Sequence, residues 1–396
     1  MALSRRSLPF EVPSYSLTGD ILSFQRCGLQ YRYYNGSSLP PSRPVQMWVG
    51  EFVHGVLEEA FRYWQQHNPA FPWPCNPTPL PPDAPPVARN DHDIGVIGER
   101  VEARLAAAGK RPRNREARDT AYSRVAASIN LLAPHLFPLI TAAEERISGT
   151  RPMPGGNVGR RSRGDRYELT GVVDVISSVI VAANAENPIV GLINEAVQIG
   201  APQYDVIVDY KALRRPGQQS RYWAHHQWQV QTYAWLRSQI PQAIPVGAGM
   251  LIYVNELAPS QTDSEKLQEE FNQGTADVVP AIGSQDYYAL QRWQRGQPPP
   301  QFTPALTLRR AIRVVGVSFP QIGRALGEID QVVGEIEGAA VQEFDSGNIL
   351  GCWHAGGEES DCVACDFHHF CPAPAQLRAQ LQQPNPPART PPVAPG

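Results

Sequence analysis

The segment Tyr204-Asp-Val-Ile-Val-Asp-Tyr-Lys211 constrains the fold of this chain most, because it carries an apolar, β-branched run straight into two charges. Such residues suit a pleated, well-packed surface, so the run predicts a core strand. A strand sends residues i and i+2 to one face, which puts Asp209 and Lys211 side by side at its end. Buried strands ordinarily exclude charge. Three of the 35 basic residues are lysines, Lys110, Lys211 and Lys266, and of these Lys211 alone lies in an apolar segment. A compact ammonium kept in a chain that otherwise uses arginine points to chemistry rather than to charge alone.

A second β-rich segment, Tyr167-Glu-Leu-Thr-Gly-Val-Val-Asp-Val-Ile176, brings another carboxylate, Asp174, to a strand. A helical pattern over 221–239 and a strand pattern from Pro245 to Val254 come next, and the order strand, strand, helix, strand predicts an α/β core sheet. Upstream, 17–64 has helical spacing, with Ser16 or Thr18 as a first cap and Pro44 opening a second helix near Val45. Residues 65–90 are dominated by proline and predict a loop. Helical periodicity returns from Asp91 to about Leu136, broken near Gly109–Arg115, as in an inserted helical subdomain.

A strand is expected at 143–149, a Gly/Arg-rich loop at 154–165 and a mainly apolar connection before 204. Residues 258–303 are poorly patterned, and 318–346 reads as a long amphipathic helix. From Pro372 the Pro, Gln and Ala content predicts a disordered tail. The expected organisation is an N-terminal helical element (1–64), a loop with helical insertion (65–140), the core (141–255), a helical region with cysteines (256–372) and the tail (373–396).

No apolar run approaches the roughly 20 residues a membrane span needs, so no membrane role is expected. Met1-Ala-Leu-Ser-Arg-Arg has charge but no apolar stretch behind it, which is not a secretory signal; a cytoplasmic address is the expectation. The formal net charge of −3 argues against a sequence-blind nucleic-acid coat. Nucleic-acid binding would rest on local patches. Lys110-Arg-Pro-Arg-Asn-Arg115 and Arg160-Arg-Ser-Arg163 are candidates, though most such runs are only solvated loops.

Two carboxylates and an ammonium at neighbouring strand ends suit phosphodiester hydrolysis. Hard oxygens hold Mg²⁺ or Mn²⁺, and the lysine orients water or offsets developing negative charge. Gly171-x-x-Asp174 followed by Asp209-Tyr-Lys211 resembles the PD-(D/E)XK motif of the RecB-like nucleases. Gln229-Val-Gln-Thr-Tyr233 is similar to the Gln-x-x-x-Tyr motif that this family places on the helix after the core strand. Gly50-Glu-Phe-Val-His54-Gly-Val-Leu-Glu58 resembles its Gly-x-x-x-His-x-x-Leu-Glu helix. The resemblance implies catalytic roles for Asp174, Asp209, Lys211, Gln229 and Tyr233, and a metal set of His54, Asp174, Asp209 and Tyr210. It also implies a restriction-endonuclease-like core, a mixed sheet flanked by helices, with helical N- and C-terminal additions and a helical insertion.

Of six cysteines, Cys362-x-x-Cys365-x5-Cys371 places three within ten residues. A fourth ligand is needed: zinc can recruit His368 or His369, whereas a [4Fe–4S] cluster normally takes a fourth cysteine. The stretch from Thr18 through Leu22-Ser-Phe-Gln-Arg-Cys27 to Tyr31 resembles the N-terminal element of the iron–sulfur RecB-like nucleases, among them the AddB-like and CRISPR-associated exonuclease groups. That resemblance implies a structural [4Fe–4S] cluster on Cys27, Cys362, Cys365 and Cys371. Cys352 and Cys75 fall outside the pattern.

The implied activity is metal-dependent cleavage of DNA, by an exonuclease on single-stranded ends, in repair, recombination or defence. No G-x-x-x-x-G-K-[ST] pattern is present, so unwinding would fall to a separate helicase subunit. The alternatives are a non-catalytic DNA-binding or scaffold subunit of a helicase–nuclease complex, and a CRISPR spacer-processing nuclease.

Overall fold

The structure, a computed structural model, describes residues 12–36, 47–76, 89–154, 164–356, 362, 365–367 and 371. In chain order come β1 (Ser14–Ser16), α1 (Leu22–Arg26), α2 (Gly28–Gly36), α3 (Met47–His67), α4 (Ile94–Ala107), α5 (Arg115–Ala127) and α6 (Ala133–Leu136). The middle holds β2 (Ile140–Pro152), β3 (Arg166–Ile180), α7 (Pro188–Ala196), β4 (Gln203–Lys211), α8 (Arg221–Ser238) and β5 (Val246–Tyr253). The last third holds α9 (Val254–Leu257), α10 (Gln261–Asn272), α11 (Gln285–Arg292), α12 (Pro304–Ala311), β6 (Ile312–Gly316), α13 (Phe319–Ser346) and α14 (Ile349–Cys352). Among the described residues no helix is long and apolar enough to cross a membrane.

The chain divides into two compact units. The smaller comprises Met1–Ser42, Thr150–Glu168 and Ile329–Gly396, the larger Arg43–Gly149 and Leu169–Glu328. The larger is an α/β unit whose mixed sheet runs β3-β4-β5-β6, with β2 paired to β3. β3 and β4 are antiparallel, β4 and β5 parallel, and β5 and β6 antiparallel. The parallel pair needs a crossover, and α8 supplies it.

Every residue of β4 from Tyr204 to Tyr210 is buried, because both of its faces are covered. Val206, Val208 and Tyr210 join one core with Trp48, Phe52 and Val56 of α3 and Tyr122 and Val125 of α5. On the opposite face, Val230 of α8 packs on Leu251 and Tyr253 of β5 and Val315 of β6. Gly249 makes that approach possible, since a Cβ there would stand 2.2 Å from Val230 Cγ1.

The strands expected at 143–149 and 245–254 and the helices expected at 221–239 and 318–346 are present, with ends within three residues of expectation. The first helical turn departs from the reading. Ser16 makes no side-chain cap; instead Asp20 Oδ2 accepts from both Ser16 N and Oγ at 2.7 Å. The apolar connection before β4 contains α7, begun by Pro188 and capped by Asn187 Oδ1 on Ile189 N at 2.9 Å. The poorly patterned stretch contains α10, with a capping box at Ser260 and Asp263, and α11, capped by Ser284. Lys110 is paired with Glu51, and Arg115 with Asp119, which draws on the charge of the first basic run. The second basic run, Pro44 and Val45, and the tail lie outside the described residues.

In the smaller unit α13 offers three acids along its length, each taken up. Asp330 pairs with Arg151 and accepts from Tyr167 OH at 2.6 Å, and Glu337 accepts from Tyr15 OH. Glu343 takes two hydrogen bonds from Arg32, each 2.6 Å, and one from Trp353 Nε1 at 2.7 Å. Both Arg32 and Glu343 are 2% exposed, so removing one strands the other. Burial pushes the Glu343 carboxyl up, but the bonds from Arg32 and Trp353 outweigh it and hold it below the usual range.

Arg32→Ala is expected to cost about 3–5 kcal/mol of stability at neutral pH. Because the folded pKa is depressed, that contribution is present above the unfolded value and lost as pH falls through the folded one. Urea unfolding at two pH values measures it; an unchanged midpoint at neutral pH shows that the pair contributes nothing.

Candidate active site and metal centre

β4 delivers Asp209, 4% exposed, and Lys211 to the face that α8 covers. Lys211 Nζ donates to Gln229 Oε1 at 2.8 Å, and Gln229 Nε2 donates to Tyr233 OH at 3.3 Å. The two α8 residues, one turn apart, thus hold the ammonium in place. Gly171 of β3 leaves room for this: a Cβ there would lie 2.6 Å from the Tyr233 ring. Lys211 Nζ also stands 2.5 Å from Asp209 Oδ2, an ion pair between the two charges that end the strand.

β3 and β4 pair in register from Val175 and Val208, and one step beyond them stand Asp174 and Asp209. Asp174 Oδ2 accepts from Tyr210 N at 2.8 Å, while its Oδ1 faces His54 Nδ1 at 3.4 Å. His54, from α3, places Nε2 2.9 Å from the Tyr210 carbonyl oxygen, to which it must be the donor. The Tyr210 ring is packed in the core, so this residue presents its main chain to the centre.

Glu144 was not singled out by the sequence. It sits in β2 with φ +52, a left-handed conformation rare for a residue with a side chain. Such a residue breaks strand alternation and re-aims the side chains beyond it. Ligand atoms of His54, Glu144 and Asp174 all lie within 4.8 Å of one another. Glu58 and Tyr210 line the same small cleft. No spacing rule marks Glu144; its place depends on one backbone angle.

Charge is crowded here. Burial and the neighbouring Asp174 raise Asp209 to about 7, against the pull of Lys211. Burial likewise pushes Asp174 up, but His54 and Lys211 outweigh it and hold it below the carboxylate range. Glu144 is raised to about 7 by burial and by Asp174. Burial pulls His54 down, yet Asp174, Asp209 and Glu144 lift it to about 9. The protonated imidazole therefore supplies part of the positive charge that three converging carboxylates call for.

The cysteines of interest belong to the smaller unit. Cys27 precedes α2 and its Sγ accepts from Gln30 N at 3.5 Å, in the manner of an N-cap. Cys365 N donates to the Cys362 carbonyl at 3.2 Å, closing the Cys-x-x-Cys turn. Burial raises the Cys365 thiol, hydrogen bonds from the Phe367 main chain and Gln30 pull it down, and Cys27 and Cys371 lie near enough to add to the rise. Cys352 instead lies 3.4 Å from Ser346 Oγ. Cys75, in the larger unit, is pushed up to about 11 by burial and by Asp93. His368 and His369 lie outside the described residues.

No protein-family model matches the sequence, and no curated protein matches it. A solved chain described as the crystal structure of SSO0001 aligns over 82% of this chain and 84% of its own, at 12% identity. The TM-score is 0.27, too low for the likeness to carry fold or function.

Proposed function

We propose that this protein is a divalent-metal-dependent nuclease of the PD-(D/E)XK, RecB-like kind, with a restriction-endonuclease-like core, acting on single-stranded DNA. The observation that carries the reading is the convergence of Asp174, Asp209, Lys211, Gln229 and His54, from two strands and two helices, on one point. The donors present suit a hard divalent cation. They are carboxylates and an imidazole, and three of their ligand atoms lie within 4.8 Å of one another. Asp174, Asp209, Glu144, the Tyr210 main chain and, on giving up its extra proton, His54 would hold Mg²⁺ or Mn²⁺, which when bound would polarise a phosphate and lower the pKa of water.

Lys211, fixed by Gln229 and Tyr233, sets an ammonium against the negative charge that grows on the phosphate oxygens during attack. Cys27, Cys362, Cys365 and Cys371 would hold a [4Fe–4S] cluster with a structural role. Linking residue 27 to residues near 370 constrains a very long loop in the unfolded chain. Unwinding of a duplex is assigned to a separate helicase partner.

The test is incubation of the purified protein with an end-labelled single-stranded oligodeoxynucleotide. Shortening in Mg²⁺ or Mn²⁺, stopped by a chelator and restored by excess metal, is expected. An intact oligonucleotide with both metals at all protein concentrations sinks the proposal and leaves the scaffold-subunit alternative.

A further inference from the structure

The first basic run, Lys110-Arg-Pro-Arg-Asn-Arg115, joins α4 to α5, and the proposed chemistry makes no use of it. Both of its ends are fixed. Gly109, with φ +76, turns the chain out of α4: its N–H donates to the Ala106 carbonyl at 2.9 Å, and that of Lys110 to the Leu105 carbonyl at 2.8 Å. At the other end Asn114 Oδ1 accepts from Ala117 N at 2.8 Å and caps α5. Pro112 fixes its own φ and biases Arg111 towards extended backbone. The run is therefore short and stiff.

Lys110 sets its place, by pairing with Glu51 of α3. Glu51, His54 and Glu58 follow one another at steps of three and four residues, so they share one face of α3. Glu51 precedes His54 by about 4.5 Å along the axis, at ~1.5 Å per residue. The pair thus docks the start of the run less than one helical turn from a residue of the candidate metal centre. Gly55 lets α4 come close enough for this, since a Cβ there would stand 3.0 Å from Val101 Cγ1. All of these elements belong to the larger unit.

Two of the four cations are taken up within the protein, Lys110 by Glu51 and Arg115 by Asp119. Glu116, the acid in the first turn of α5, lies at the helix end whose dipole favours it. Arg111 and Arg113 are exposed, and among the described residues neither has a hydrogen bond or an ion pair. A guanidinium keeps its charge at any working pH, and its fork of donors matches the oxygens of a phosphate. In a protein of net charge −3, attraction of a polyanion must come from such a local pair.

We infer that Arg111 and Arg113 bind backbone phosphates of the single strand beside the one held at the metal, and so position the strand without reading its bases. The inference rests on the nuclease reading and deepens it. Neither arginine takes part in the chemistry, and because both are exposed the fold does not depend on them.

The double variant Arg111→Ala/Arg113→Ala, compared with the unaltered protein on single-stranded oligodeoxynucleotides over a range of salt concentrations, tests this. On a single strand each neutralised phosphate contributes about 0.7 to the slope of log affinity against log salt, so the two together contribute about 1.4. The variant is expected to show a salt dependence of KM weaker by that amount. At ~0.15 M salt its KM should rise roughly tenfold, with kcat within about twofold. The loss should be equal on oligothymidylate and oligodeoxyadenylate, because phosphates carry no sequence. Arg111→Lys/Arg113→Lys should keep the parent slope, since the charge is retained. An unchanged salt slope in the alanine variant, or a loss confined to one sequence, overturns the inference. Should the unaltered protein cut nothing, the nuclease reading fails separately, and fluorescence anisotropy with the same oligonucleotides decides this one. A binding slope lower by about 1.4 in the alanine variant supports it, and equal slopes, or no binding by the unaltered protein, overturn it.

Discussion

Asp209→Ala and Asp174→Ala are each expected to lower metal-dependent cleavage by about a thousandfold or more, since losing one preorganised electrostatic group already costs about 10²–10³. Neither change should unfold the larger unit. Asp209 is buried among like charges, with burial and Asp174 holding its pKa near 7, so removing it relieves repulsion as well as a ligand. Lys211→Arg discriminates more finely. The ammonium fits between Gln229 Oε1 at 2.8 Å and Asp209 Oδ2 at 2.5 Å. A planar guanidinium carries the same charge in a wider fork and cannot meet both from the same strand position. A loss of roughly a hundredfold in kcat is expected, with KM little changed. Single-turnover rates on a labelled oligonucleotide measure both effects. Full activity in both aspartate variants rules out catalysis at these residues, and full activity in Lys211→Arg reduces Lys211 to a simple charge.

Cys27→Ser is expected to remove colour and stability together. Protein purified without oxygen should absorb broadly near ~400 nm, as thiolate-ligated iron–sulfur clusters do. Serine in place of Cys27, Cys362, Cys365 or Cys371 should bleach it and lower the unfolding midpoint, because cluster binding is coupled to folding. Cys352→Ser and Cys75→Ser serve as controls: Cys352 meets Ser346, and Cys75 sits beside Asp93 in the other unit. Metal analysis gives the decisive ratio. Zinc without iron, or bleaching by Cys352→Ser but not by Cys27→Ser, overturns the ligand set.

The charged residues of the centre were legible in the sequence for a physical reason. A strand buried on both faces must be written almost wholly in apolar residues, so the charges that end β4 stand out. α8 comes next in the chain and lies within hydrogen-bonding reach of them, and its Gln229 and Tyr233 are one turn apart. Elements with little buried surface left no such trace. In α10 the buried residues are Ser264 and Leu267, and in α11 Asp286 and Leu290, too few to set a helical period. Glu144 was illegible for another reason. Its position depends on a left-handed residue inside a strand, and nothing in the residue types around it encodes that angle.

The burial of β4 from Tyr204 to Tyr210 sets which changes this centre can absorb. Val206, Ile207 and Val208 can be exchanged for other apolar residues of similar volume at modest cost, because each touches only its own layer. Insertion or deletion of a single residue between Tyr204 and Asp209 is different in kind. It would rotate the strand end by half a pleat, send Asp209 and Lys211 into the layer now occupied by Tyr210, and bring Tyr210 out towards Gln229. The proposed chemistry of the site is therefore tied to the parity of a residue count, and lineages of this protein should vary in the composition of β4 while keeping its length.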